Sequence, residues 1–186
     1  FQRGHFRPKE MWHEHGGSAF NPGNYYYVGG NSKFYGAVLV RYRREDFAEM
    51  RHREGVSPAW PFAYEELEPW YSRAERLFQV RGAEGQDPTE PFHSTPYAFP
   101  AVPDEPAIAG VRSRLKAVGM HPFSLPLAID IDKWLNKART PWDAHPNCDD
   151  GKLDAETAPL AKALLHRNVR LQTNWSVSKR PAMERP

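Results

Sequence analysis

The residues of this 186-residue chain best suited to gather a ligand lie in one stretch, Tyr25-Tyr26-Tyr27-Val28-Gly29-Gly30-Asn31-Ser32-Lys33-Phe34-Tyr35-Gly36-Ala37. Two adjacent glycines let the main chain take left-handed dihedrals or approach another group closely. Asn31 and Ser32 add short polar side chains beside them, so several N–H groups could converge on one acceptor-rich ligand. The same pattern also describes a hairpin turn between an aromatic strand and an apolar one. Local pattern leaves both readings open.

The other chemistry-bearing residues do not assemble a site. Asp130 with Asp132, Asp149 with Asp150 and Asp154 with Glu156 are carboxylate pairs. Nothing around them in sequence promises burial, which a tuned acid/base pair needs, so they read as solvated turns or helix starts. His13 and His15 alternate, with His5 upstream, but no Cys or carboxylate at ligand spacing completes a metal set. Gly-x-Ser-x-Gly, Walker, His-Glu-x-x-His and Gly-x-Gly-x-x-Gly motifs are all absent. The residues alone therefore name no catalytic group and no metal. One cysteine, Cys148, excludes an intrachain disulfide.

Composition narrows the class further. Aromatics are 13%, too many for a disordered chain, although mean hydropathy is low. Eighteen prolines and 13 glycines imply long irregular connections. Net charge is +2 with both signs interspersed, and the densest basic cluster, Arg41-Arg43-Arg44, runs straight into Glu45-Asp46. That is a mixed solvated surface, and it argues against a nucleic-acid partner. No apolar run reaches the roughly 20 residues of a membrane helix. With no signal-peptide pattern at the start, the expectation is a cytoplasmic protein.

The elements expected to position the Gly-Gly stretch follow in order. Pro8–Trp12 reads as a helical turn, and Gly16-Gly17 as a break. Residues 36–42 are an apolar run whose periodicity does not separate strand from helix. Pro58 and Pro61 make 55–63 a loop anchored by Trp60. Leu67, Trp70, Tyr71, Ala74, Leu77 and Phe78 predict a helix over 67–80 packing that stripe on a core. Pro69 sets its start near Glu68, and Gly82 its end. Six prolines make 83–106 a long connection, of the kind that embraces a site or a partner domain. A second helix is expected over 107–118, opened by Pro106 and capped by Gly119, with Ile108, Val111, Leu115 and Val118 on one face. An edge strand near 122–129, a polar stretch over 130–152 anchored by Trp134 and Trp142, a third helix from Asp154 and an alternating strand over 168–174 complete the reading. The fold class is α+β.

Seven blocks lie in register with one family. They are Tyr27–Ala37; Arg41-Tyr42-Arg43-Arg44-Glu45-Asp46-Phe47; Gly55–Pro61; Glu66–Tyr71 with Ala74-Glu75; Gly85-Gln86-Asp87-Pro88-Thr89-Glu90-Pro91; Asp154-Ala155-Glu156-Thr157; and Asn168–Asn174. Over about residues 8–177 the chain resembles the middle of glucose–methanol–choline (GMC) oxidoreductases of the choline-dehydrogenase-like branch. It departs from the common signature at Asn31 and Tyr35, and it lacks a cysteine-rich stretch before Asp154.

The resemblance implies an FAD enzyme that oxidises a small-molecule alcohol by hydride transfer to the flavin. It assigns Gly29, Gly30, Asn31, Ser32 and Tyr35 to FAD contact, with Lys33, Phe34, Gly36 and Ala37 in the same loop and a backbone contact at Val177. It also divides the chain into a flavin-loop segment (1–52), a cover and substrate-domain segment (53–152) and a helix–strand returning to the FAD region (153–186). The family's dinucleotide fingerprint and catalytic histidine have no counterpart among these residues. The implied chain is an internal piece whose partners are the N- and C-terminal parts of the same enzyme, inactive by itself. A non-catalytic binding module derived from such an enzyme is the alternative.

Overall fold

A computed structural model describes residues 10–136 and 151–175. Among the described residues, three small sheets and four helices make a mixed α+β architecture. The expected helical turn before Gly16 is instead extended at its end. Strand β1 (Trp12–His13) pairs antiparallel with β2 (Ala19–Phe20). Gly17 at φ 86 reverses the chain between them, and Trp12 meets Phe20 edge to face at 6.3 Å.

The apolar run after Gly36 is extended. Ala37 and Arg41 are buried and Leu39 is half-buried, while Val38, Val40 and Tyr42 face outward. This is strand alternation, and the run's backbone docks on the chain before β7 (Leu127–Ala128): Leu39 N–H donates to Pro126 O at 3.0 Å, and Ala128 N–H to Ala37 O at 2.8 Å. A 3₁₀ turn at Arg44–Phe47 follows. Within the expected loop 55–63, Gly55–Ser57 (β4) pairs with Met50–His52 (β3). The prolines act only from Pro58 onward, where the ladder stops.

Helix α1 spans Tyr64–Leu77, starting earlier than Pro69 suggested. Glu66 accepts the Ala63 N–H at 3.2 Å and closes the first turn before Pro69 removes a donor. Gln79, at φ 51, ends the helix rather than Gly82. Gly82 instead lies in β5 (Val80–Gly82), where an added Cβ would sit 2.5 Å from the Tyr97 ring. β5 is central in a three-stranded sheet, parallel to β6 (Phe99–Pro100) and antiparallel to β7.

The expected apolar stripe of α1 is half-buried at Leu67, Tyr71, Leu77 and Phe78, but the most deeply buried face is another one. Tyr64, Glu68, Ser72 and Glu75 are buried, and Trp70 is exposed. Helix α2 (Pro106–Ala117) begins at Pro106 as expected, and Gly119 follows it at φ 81. Its apolar face is open, with Ile108 and Val111 exposed. Arg112 holds it instead: its guanidinium pairs with Asp104 and donates to Pro122 O at 2.9 Å.

Helix α3 (Ile131–Asn136) was not expected from the polar stretch 130–152. Asp130 caps it, its Oδ1 accepting the Lys133 N–H at 3.2 Å, which is the helix-start role open to that carboxylate. The expected third helix is a wide turn over Glu156–Leu160 running into α4 (Ala161–Ala163). Leu160 N–H reaches back to Ala155 O at 3.0 Å, which accommodates the missing donor of Pro159. Residues 168–174 form no ladder, against the alternating pattern, because no strand among the described residues lies beside them. Val80, Ala128, Leu153 and Ala158 form the core, with Leu39, Phe78 and Tyr97 against it. The three stretches distinguished in sequence thus meet in one core. Among the described residues no helix is long and apolar enough to cross a membrane.

Candidate functional site

The Gly-Gly stretch is a turn, but not of a hairpin. Gly29 (φ 92) and Gly30 (φ 58) are both left-handed and lead into a 3₁₀ turn over Gly30–Phe34. The two glycines face different surroundings. A Cβ on Gly29 would lie 3.2 Å from Glu156 N and 3.3 Å from Lys33 Cε, whereas one on Gly30 would meet nothing within 4 Å. Gly29 is the buried contact and Gly30 the open side.

Side chains of the loop hold it in place. Ser32 Oγ donates to Gly29 O at 2.7 Å and accepts the Ala155 N–H at 3.0 Å. Asn31 Oδ1 accepts the Tyr25 N–H at 2.8 Å. Phe34 packs on Tyr25 and Tyr27, with ring centroids 4.2 and 5.7 Å apart. The Tyr35 hydroxyl donates to Leu153 O, and burial, then the Asp154 charge, pushes its pKa up. Ala37 is almost fully buried at φ 61, an uncommon conformation for alanine that ends the loop. Gly36 lies between Tyr35 and Ala37, and Val177 lies outside the described residues.

Lys33 is the buried charge of the loop. Its side chain is 3% exposed, and its Nζ lies 3.0 Å from Asp154 Oδ2, which is fully buried, and pairs with Glu156 as well. Burial alone would lower its pKa; the hydrogen bonds it donates to Glu156 and Asp154 outweigh that and raise it. Asp154 Oδ1 accepts the N–H groups of Glu156 and Thr157 at 2.9 and 3.0 Å, capping the turn that follows. Lys152, also buried, donates from Nζ to Lys33 O at 2.6 Å. Lys152, Asp154 and Glu156 were not among the expected site residues. The capping pattern of Asp154-x-x-Thr157 was a visible signal; its pairing with a lysine 121 positions earlier in the sequence was not.

A second polar centre lies just beyond the loop. Arg41, nearly fully buried, donates to Glu75 from Nε and Nη2 at 2.7 and 2.6 Å. Its Nη1 donates to Tyr64 Oη at 2.9 Å and Glu68 Oε1 at 3.0 Å, and Nη2 to Ser72 Oγ at 3.1 Å. Such a planar fork suits a bidentate carboxylate partner. This centre explains the buried polar face of α1. Glu68 also accepts the Ser94 N–H at 2.8 Å, and Tyr64 Oη donates to Phe92 O at 2.7 Å, so the proline-rich connection is tied in as well. The rest of the basic cluster is likewise paired internally, Arg43 with Asp87 and Arg44 with Glu65.

Burial opposes ionisation of Glu68, but hydrogen bonds from Ser94, Arg41 and Ser72 prevail and hold its pKa down to about 2. A depressed folded-state value gives stability that is present above the ordinary carboxylate range and disappears as pH falls toward about 2. Stability measured by chemical denaturation should therefore fall between pH 4.5 and about 2, and Glu68→Gln should flatten that part of the profile. An unchanged slope in the variant would assign the acid sensitivity to other groups.

No protein-family model matches the chain. A stretch of 152 residues, 78% of the chain, is 32% identical to 6'''-hydroxyparomomycin C oxidase of Streptomyces lividus. A stretch of 153 residues, again 78% of the chain, is 31% identical to paromamine 6'-oxidase of Streptomyces fradiae. These alignments cover 28% and 27% of the two relatives, so the chain spans little more than a quarter of the proteins it matches. Over most of its own length, then, this chain is similar to part of two oxidases, which suggests an oxidoreductase.

Proposed function

We propose that this chain is the middle segment of an FAD-dependent alcohol oxidoreductase of the GMC type, choline-dehydrogenase-like, and that it supplies the loop lying along the flavin. The observation that carries the reading is the Gly29-Gly30 turn, pinned from beneath by Lys33, Asp154 and Glu156 and open on the Gly30 side. A planar ring or pyrophosphate approaching Gly30 meets main chain with no Cβ in the way, which is what a backbone cradle requires. Ser32, Lys33 and Tyr35 fix the loop's shape from within, so contact with the cofactor falls to the backbone on its open side, at Gly30 and Asn31. The bound flavin would accept a hydride from the alcohol carbon. The alcohol belongs to the class named by the two relatives, paromamine and 6'''-hydroxyparomomycin C.

In this reading the 186 residues do not hold FAD tightly or oxidise alcohols by themselves. They contain no Gly-x-Gly-x-x-Gly turn to receive the dinucleotide. The test compares two preparations. The native polypeptide carrying this sequence, isolated from its source, should contain FAD and lose its oxidised flavin absorbance on anaerobic addition of paromamine. The isolated 186-residue chain should be colourless. A native product without flavin would overturn the proposal in favour of a binding module, and a yellow isolated chain would overturn the dependence on other parts.

A further inference from the structure

We infer that a cleft lined by Arg41, Glu90 and Tyr97 binds the protonated amino group of an aminated sugar ring. The proposal rests on the alcohol-oxidising reading and adds to it where the amine of the substrate is recognised. The cleft lies between the extended segment after Ala37 and the proline-rich connection, and it encloses about 190 Å³. That is below the roughly 300–1,000 Å³ of a drug-sized pocket, and it suits a single ring. Val40, Pro126 and Phe123 form one apolar side, and Tyr97 contributes an aromatic face. Sugar rings pack their C–H faces on such surfaces while their hydroxyls reach polar neighbours.

Charge selects the ligand. Arg41, in the lining, is already held by two carboxylates, Glu68 and Glu75. Arg43 is matched by Asp87 at 3.2 Å. Glu90 then stands in the lining as a further carboxylate with no guanidinium of its own. Its Oε1 accepts the Tyr97 hydroxyl at 2.7 Å and lies 3.2 Å from His93 Nε2, while its Oε2 makes no hydrogen bond among the described residues. In the lining two carboxylates, Asp87 and Glu90, stand beside two guanidinium groups, Arg41 and Arg43, that are both already paired, so Glu90 Oε2 is the charged acceptor left open to the cleft. A neutral sugar can give that oxygen only an ordinary hydrogen bond; an ammonium substituent placed on Glu90 Oε2 gives it a charge-assisted one.

The matched probes are D-glucosamine and D-glucose, titrated into the 186-residue chain without flavin and followed by saturation-transfer NMR and by chemical shifts of the protein. Glucosamine should saturate the cleft and bind about tenfold or more tightly than glucose, the scale of one hydrogen bond to a charged group. Glu90→Gln should remove that preference. Glutamine keeps an acceptor for Tyr97, and an unchanged thermal transition will establish that the variant is folded. Glu54→Gln, on the exposed β3–β4 turn, should leave the preference intact. Equal binding of the two sugars, binding of neither, or a preference that survives Glu90→Gln would each overturn the inference. None of these outcomes depends on flavin, so failure here is separable from failure of the flavin-loop reading.

Discussion

Replacing Arg41 with methionine should lower the unfolding free energy by about 3–5 kcal/mol, the cost of leaving buried carboxylates without their partner. The methionine fills much the same space, so packing loss is a minor part of the effect. What remains is Glu68 and Glu75, both buried on α1, facing each other across a vacated fork. The Tyr64 hydroxyl and Ser72 keep other partners, so the loss concentrates on the two carboxylates. Arg41→Lys should recover only part, because an ammonium cannot bond Glu75 bidentately while also reaching Tyr64 and Glu68. Neutralising both carboxylates in the methionine background should restore part of the stability. Urea unfolding followed by circular dichroism decides the matter. A loss under about 1 kcal/mol would mean the cluster behaves as a surface ion pair.

Lys33→Met should have an effect of similar size, about 3–5 kcal/mol by the same argument, since Asp154 is fully buried and would lose its cation. Its consequence is more local. The Gly29-Gly30 turn is fixed by Lys33 below it and by Ser32 against Ala155, so removing the ammonium should loosen residues 29–37 first. Hydrogen exchange should rise there while β5 stays protected. Combining Lys33→Met with Asp154→Asn should cost less than the sum of the two singles, because the unpaired charge is gone. Asparagine still presents an oxygen to the N–H groups of Glu156 and Thr157. Additive losses in this cycle would show that Lys33 and Asp154 do not act on each other.

The two residues have a common logic. Each is a basic side chain within a block of recognisable sequence character, and each is buried by partners farther along the chain. Arg41 sits near the end of an apolar run whose periodicity did not separate strand from helix, and opens a basic cluster that read as solvated surface. It does alternate inward with Ala37 and Leu39, but its inward position meets a polar face of α1. The hydrophobic stripe of that helix was a sound reading of periodicity, yet it is only half-buried, with Phe78 against the core. Burial followed the ion cluster, leaving Trp70 exposed. The open apolar residues of α2 make the same point, since an anchor through Arg112 is invisible to a hydrophobic pattern.

Local chemistry by itself determined a good deal. Backbone rules placed the start of α2 at Pro106 and its end at Gly119, permitted left-handed backbone at Gly29-Gly30, and left a helix start as one of two roles for Asp130. These features depend on neighbours within a few residues, and a linear text records neighbours. The α+β class followed from the same signals. The tertiary structure alone decided that Gly29 faces inward and Gly30 outward, that Lys33 and Tyr35 hold the loop from beneath, and that Lys152, Asp154 and Glu156 belong to the site. Each of these rests on contacts between residues more than 100 positions apart. Which carboxylate neutralises a buried lysine is settled by where the chain returns, and no local propensity encodes that return.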